Sequence, residues 1–203
     1  MRIDEALVQV RAIQTQVART EQFCCYRWAT VTGSGALAII AAGIQPMVVP
    51  QPAQHPDAFL MLWVAVAALN VGMVGAEMLV RWLRSDSDFA RRQTVLAVQQ
   101  FAPCLIAGAL LTLAMRSCCP DQAWLLPALW SILFSLGIYA SGRHLPAGTT
   151  FVASYYLAAG LLCIRFAQGE QTLQPWTMAL TFGAGQFITG FILYRHREPA
   201  DGT

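Results

Sequence analysis

Residues 59 to 84 read "FLMLWVAVAALNVGMVGAEMLVRWLR", and this stretch decides the fold. Its first eleven side chains carry no hydroxyl, amide or charge; Asn70 follows, and then the carboxylate Glu77 just before Arg81 and Arg84. A helix needs about 20 mainly apolar residues to cross the hydrocarbon core of a bilayer, and the run from about 58 to 80 supplies them. Five further segments come close, at about 28 to 49, 94 to 115, 122 to 141, 149 to 167 and 174 to 194. Proline marks the connections: Pro46, Pro50, Pro52 and Pro56 in the first, Pro120 in the third, Pro146 in the fourth and Pro175 in the fifth. Proline lacks an amide donor and clashes with the preceding turn, so it ends helices.

Composition points the same way. The 203-residue chain is 56% hydrophobic and 12% charged, with a mean hydropathy of +0.49, where soluble domains carry about 25% charged residues. The expectation is an all-α polytopic membrane bundle of six transmembrane helices. All 13 basic residues are arginines, gathered in a few clusters, so a nucleic-acid-binding surface has no support. The first 27 residues are mostly polar and show no short apolar run with a small-residue cleavage site, hence no cleaved signal peptide is expected.

Arginine concentrates on the cytoplasmic side of short loops, which tests the count of six. Arg2, Arg11, Arg19 and Arg27 precede the first span, Arg81, Arg84, Arg91 and Arg92 fill the second connection, Arg143 is in the fourth, and Arg195 and Arg197 follow the last. Only Arg116 and Arg165 fall on the other face. Five or seven spans would spoil this alternation. The expected location is therefore the cell inner (plasma) membrane, multi-pass, with both termini cytoplasmic. Residues 1–24, with Ile3, Leu7, Val10, Ile13 and Val17 at helical spacing, read as a cytoplasmic amphipathic helix; 25–195 form the membrane domain and 196–203 a polar tail. Besides membrane lipids, that helix suits either the cytoplasmic loops or a protein partner. Small residues recur every fourth position at Ala68, Gly72 and Ala76 and at Thr181, Gly185 and Thr189. Such rows let helices approach closely, with packing inside the bundle expected ahead of a homodimer contact.

With this orientation Glu77 lies about 6 Å from the cytoplasmic end of its span, by the helical rise. Arg81 is one turn further on the same face, so an i, i+4 ion pair at the interface is one reading. The other comes from its company. Asn70 lies two turns deeper on the same face, Gln99 and Gln100 enter the third span at the cytoplasmic side, and Gln186 sits at similar depth in the sixth. Threonine, serine and tyrosine join them at Thr30, Thr32, Ser34, Ser135, Tyr139 and Ser154 to Tyr156, while the outer halves of most spans hold less. This suggests either a polar cavity open to the cytoplasm or hydrogen bonds that join neighbouring helices.

Catalytic chemistry finds little footing. Haem between helices needs histidines within the spans, and His55, His144 and His196 lie outside them. Di-metal sites need several inward acids, whereas Glu77 is the sole acid well inside a span. Ser141 has no histidine on a neighbouring span to act as its base. No cofactor or metal is expected. The six cysteines, Cys24, Cys25, Cys104, Cys118, Cys119 and Cys163, lack zinc spacing; Cys118 or Cys119 could pair with Cys163, but use as small apolar residues is the simpler expectation.

The stretches "QPMVVP" (45–50), "VGAEM" (74–78), "QQFAPCLIAGALLT" (99–112), "LLPALWSILFSLGIYAS" (125–141), "YYLAAGLL" (155–162) and "PWTMALTFGAGQ" (175–186) together resemble a group of uncharacterised small bacterial six-span membrane proteins. That resemblance implies genes beside small winged-helix regulators, hence a membrane partner in a regulatory or stress-response unit; it brings no catalytic residues. The function expected first is a non-enzymatic module, a scaffold or sensor engaging a partner. The alternative is a small transporter or lipid/solute-binding protein whose cavity is lined by Glu77, Asn70, Gln99, Gln100, Gln186 and Arg81.

Overall fold

The structure is a computed structural model that describes residues 27–84, 88–142 and 148–195. The expected amphipathic helix over 1–24 and the tail over 196–203 lie outside them. The described chain is helical throughout, without a strand among the described residues. Six helices are long and apolar enough to cross a membrane: α1 (Trp28–Val48), α2 (Pro56–Arg84), α3 (Asp88–Cys118), α4 (Leu126–Ser141, whose span opens with the preceding turn at Pro120), α5 (Thr149–Phe166) and α6 (Pro175–Arg195). A 3₁₀ turn, Pro120–Leu125, leads into α4, and a second, Gly169–Leu173, precedes α6.

With the 3₁₀ turn Pro120–Leu125 counted into the span of α4, four of the helices begin and end within a residue or two of the apolar runs. The exceptions are α2 and α3, which at 29 and 31 residues reach about 45 Å at helical rise and overrun the ~30 Å hydrocarbon core. Backbone hydrogen bonding need not stop where the apolar run stops. Arginine and leucine are good helix formers, and Arg81 and Arg84 in the last turn of α2 suit the negative end of the helix dipole.

Neighbouring helices run in opposite directions. Trp28 at the start of α1 meets Tyr194 at the end of α6, ring centroids 5.2 Å apart, and Tyr139 near the end of α4 shares a 2.7 Å hydrogen bond with Ser154 near the start of α5. In space the order is α2, α1, α6, α5, α4, α3. Helices α2 and α3 are consecutive in the chain yet touch sparingly, and no described side chain of α3 is fully buried.

Glycine lets the inner helices approach. A Cβ added at Gly35 of α1 would lie 3.1 Å from the Gly183 carbonyl oxygen of α6, and one at Gly160 of α5 would lie 2.8 Å from the Ala128 carbonyl oxygen of α4. Dispersion and interhelical hydrogen bonds drive such packing where lipid removes the hydrophobic term. Ser131 donates to the Tyr156 carbonyl and Ser135 to the Ala153 carbonyl, both at 2.7 Å, which fastens α4 to α5. Two apolar clusters result: Ala38, Phe59, Trp63, Leu126, Leu173 and Met178 are among the residues of one, while Ile138, Val152, Ala153 and Tyr156 form the other. Phe182 packs against both. It sits in a π-helical stretch of α6, Ala179–Ala184, whose Leu180 carbonyl accepts the Tyr155 hydroxyl.

The small-residue rows divide. In α6 the row is internal: Thr181 and Gly185 are buried, and a Cβ on Gly185 would run into the Tyr156 ring. In α2 the expectation of packing within the bundle fails. Ala68, Gly72 and Ala76 are all exposed, and a Cβ on Gly72 would meet nothing within 4 Å. The helix rotates its large residues Phe59, Leu60, Trp63 and Val66 inward instead, where they fill the cluster beside α1.

Candidate functional site

The Arg-rich end of the bundle brings the start of α1 against the end of α2, and Glu77 is the hub. Arg81 Nη2 lies 3.0 Å from Glu77 Oε1, in the i, i+4 geometry read from the sequence. Arg27 Nε approaches the same oxygen at 3.8 Å, and the Thr30 hydroxyl donates to Oε2. The Glu77 side chain is 20% exposed, shallow enough for Arg27 and Arg81 to keep contact with water or headgroups. One carboxylate is thus shared by two guanidiniums and a hydroxyl on two helices. The cluster keeps a net positive charge.

The other candidates are placed around this hub without a hydrogen bond to it among the described residues. Asn70, two turns deeper on α2, is half-buried, and its Oδ1 is buried with no hydrogen-bond partner; the same holds for Oε1 of Gln100 on α3. Gln99 is exposed. Gln186 is half-buried against α1, its Cβ 3.0 Å from where a Cβ on Gly35 would lie. The structure therefore brings together Glu77 and Arg81, adds Arg27 and Thr30, and sets Asn70, Gln99, Gln100 and Gln186 on separate contacts. Much of the hydroxyl belt is spent on bonds within and between helices. Ser34 donates to the Val31 carbonyl at 2.8 Å, and Ser131, Ser135, Tyr139, Ser154 and Tyr155 join α4, α5 and α6 as above.

The best-connected buried amide among the described residues is nevertheless at the opposite, Arg-poor end. Gln45, 1% exposed, donates from Nε2 to the Leu173 carbonyl at 2.8 Å and accepts the Trp63 indole N–H on Oε1 at 3.0 Å. One side chain on α1 thereby ties α2 and the turn before α6. Sequence reading gave Gln45, at the outer end of the first span beside Pro46, no role. The available signal was Trp63 itself, since an indole N–H held in an apolar span needs an acceptor. At the same end Arg116 of α3 grips Asp57 of α2 with both nitrogens of its fork, Nη2 at 2.6 Å from Oδ2, a bidentate pair that the sequence showed merely as an arginine on the unexpected face.

Cys104, Cys118, Cys119 and Cys163 are free thiols. Among the described residues no three His, Cys, Asp or Glu side chains gather as a metal site would require. Compared with protein-family models, curated proteins and solved structures, the chain matches none. Its class is thus stated by the fold alone, an all-α bundle with six helices able to cross a membrane.

Proposed function

We propose that this chain is a non-enzymatic inner-membrane module, a scaffold or sensor that engages a membrane partner through α2, with its Arg-rich end and both termini on the cytoplasmic side. The observation that carries the reading is the uncovered row Ala68, Gly72 and Ala76, with open space beyond Gly72 and Gly75. Small residues four apart offer a second helix close backbone approach, and inside this bundle α6 uses such a row in that way. Arginine asymmetry supports the orientation. The shared carboxylate of Glu77 serves here as a clasp that holds α1 to α2, leaving the opposite flank of α2 for the partner. A photo-crosslinking residue at position 72 in intact membranes tests this. Adducts with a second copy or another membrane protein are expected from position 72, and an adduct yield no higher than from lipid-facing Phe151 on α5 would sink the proposal.

The transporter reading keeps one specific support: the Asn70 and Gln100 side-chain oxygens are buried without partners, as groups waiting for a polar solute would be.

A further inference from the structure

Where α3 ends at the Arg-poor face, the chain reads Met115, Arg116, Ser117, Cys118, Cys119. We infer that the two thiols and the Met115 thioether form a site for a soft monovalent cation, Cu(I). The site lies at the opposite end from the Glu77 hub, and it rests neither on the Ala68, Gly72 and Ala76 row nor on which side of the membrane this end faces.

Helical register brings the three sulfurs to one turn. Cys118 closes α3, and the Cys119 amide still donates to the Met115 carbonyl at 3.0 Å, so the cysteines stand three and four residues after Met115 in unbroken helical hydrogen bonding. Side chains so spaced have Cβ atoms about 5–6 Å apart, a gap that two metal–sulfur bonds of about 2.3 Å bridge. The span of α3 begins at Thr94, and at helical rise the ~30 Å hydrocarbon core takes up about 20 residues from there. Met115 thus sits at the far edge of the hydrocarbon and the thiols in the headgroup layer. Both cysteines are free and exposed. Met115 is half-buried beside the first apolar cluster, and its three rotatable bonds let the sulfur turn to an ion.

The adjacent thiols are poorly placed to close on each other. Consecutive Cα atoms lie about 3.8 Å apart, below the ~4.4 Å at which ordinary disulfides begin, so a bond between them is strained and readily reduced. The pair persists as a dithiol. Sulfur donors select soft ions. Zn²⁺ fills a tetrahedron of four ligands, and among the described residues no three His, Cys, Asp or Glu side chains gather, whereas two thiolates and a thioether saturate Cu(I). The arginine of this turn does not repel a cation, because Asp57 neutralises Arg116 in the bidentate pair, and Asp121, exposed two residues past Cys119, adds negative charge. Binding displaces one proton from each thiol and transfers no electron.

The test is titration of the full chain, reduced and in detergent under argon, with Cu(I) against a chromogenic Cu(I) chelator. C24S/C25S serves as the background, which removes the other adjacent pair of the sequence. A single Cu(I) is expected to be taken from the chelator, with thiolate-to-copper charge-transfer absorption in the ultraviolet. C118S/C119S should abolish both signals, C163S should change neither, and M115L should weaken binding by about tenfold, the lower end of what supporting groups contribute at metal sites. No copper taken up by the background chain overturns the inference before any ligand is replaced, which covers a ligand variant that does not fold. So does binding that survives C118S/C119S, binding lost in C163S, or displacement of the copper by an equal concentration of Zn²⁺. An M115L affinity equal to that of the background overturns the three-sulfur set.

Discussion

Gln45→Leu removes the amide that joins three segments at the Arg-poor end, and its cost can be worked from two contacts. Leucine nearly conserves volume, so cavity terms are small. What is lost is the 2.8 Å bond to the Leu173 carbonyl and the 3.0 Å bond from the Trp63 indole. Trp63 is 3% exposed and Leu173 4%, so water cannot readily replace either bond. Interhelical hydrogen bonds in membranes average about 0.6 kcal/mol and reach about 1.7, giving roughly 1.2 to 3.4 kcal/mol for the pair. The upper half is expected, because two buried polar groups are orphaned at once and each costs about 1–3 kcal/mol when left unpaired. Equilibrium unfolding in mixed micelles, followed by near-ultraviolet circular dichroism, reads the difference. Trp63→Phe removes one of the two bonds and provides a double-mutant cycle, in which coupling of about 0.6 kcal/mol or more is expected. A loss below about 0.5 kcal/mol for Gln45→Leu, or zero coupling, would refute the claim that these bonds hold the end of the bundle together.

Two further expectations follow from the glycine and carboxylate geometry. Gly185→Ala should destabilise by about 1–3 kcal/mol through overpacking against the buried Tyr156 ring, whereas Gly72→Ala, with nothing within 4 Å, should change monomer stability by less than about 0.5 kcal/mol; equal effects in the same unfolding assay would contradict the two placements. Glu77→Gln keeps an acceptor for Thr30 but drops both ion pairs, each worth roughly 0.2–1 kcal/mol near a surface, so a modest loss of stability with spans intact is expected, and selective loss of solute uptake by a stable variant would favour transport over the scaffold reading.

The spans and their alternation were legible because two independent signals coincide: apolar length marks each helix, and proline and arginine mark its ends. The Glu77–Arg81 pair was legible for a local reason, since i, i+4 neighbours on a helix meet whatever the tertiary fold. Arg27 and Thr30 were not legible as partners, because they reach Glu77 only when α1 lies against α2. Gln45 was missed because Pro46 beside it reads as a helix end, yet Pro46 falls inside α1. The row in α2 was assigned inward on spacing alone. Spacing puts residues on one face but does not say which way the face turns, and the bulk of Phe59, Trp63 and Val66 decides that.

The π-helical stretch of α6 has a consequence for how this helix tolerates change. A turn closed from i to i+5 holds about one residue more than an α-helical turn, so the chain beyond it is rotated by about 100° relative to an uninterrupted helix. Deleting one residue between Ala179 and Ala184 would straighten the helix and leave both its halves facing as they now do. Substituting to restore α-helical bonding without a deletion would instead swing Gly185 off Tyr156 and Gly190 off Thr32. At this one place in the chain, losing a residue is expected to be gentler than losing a bulge.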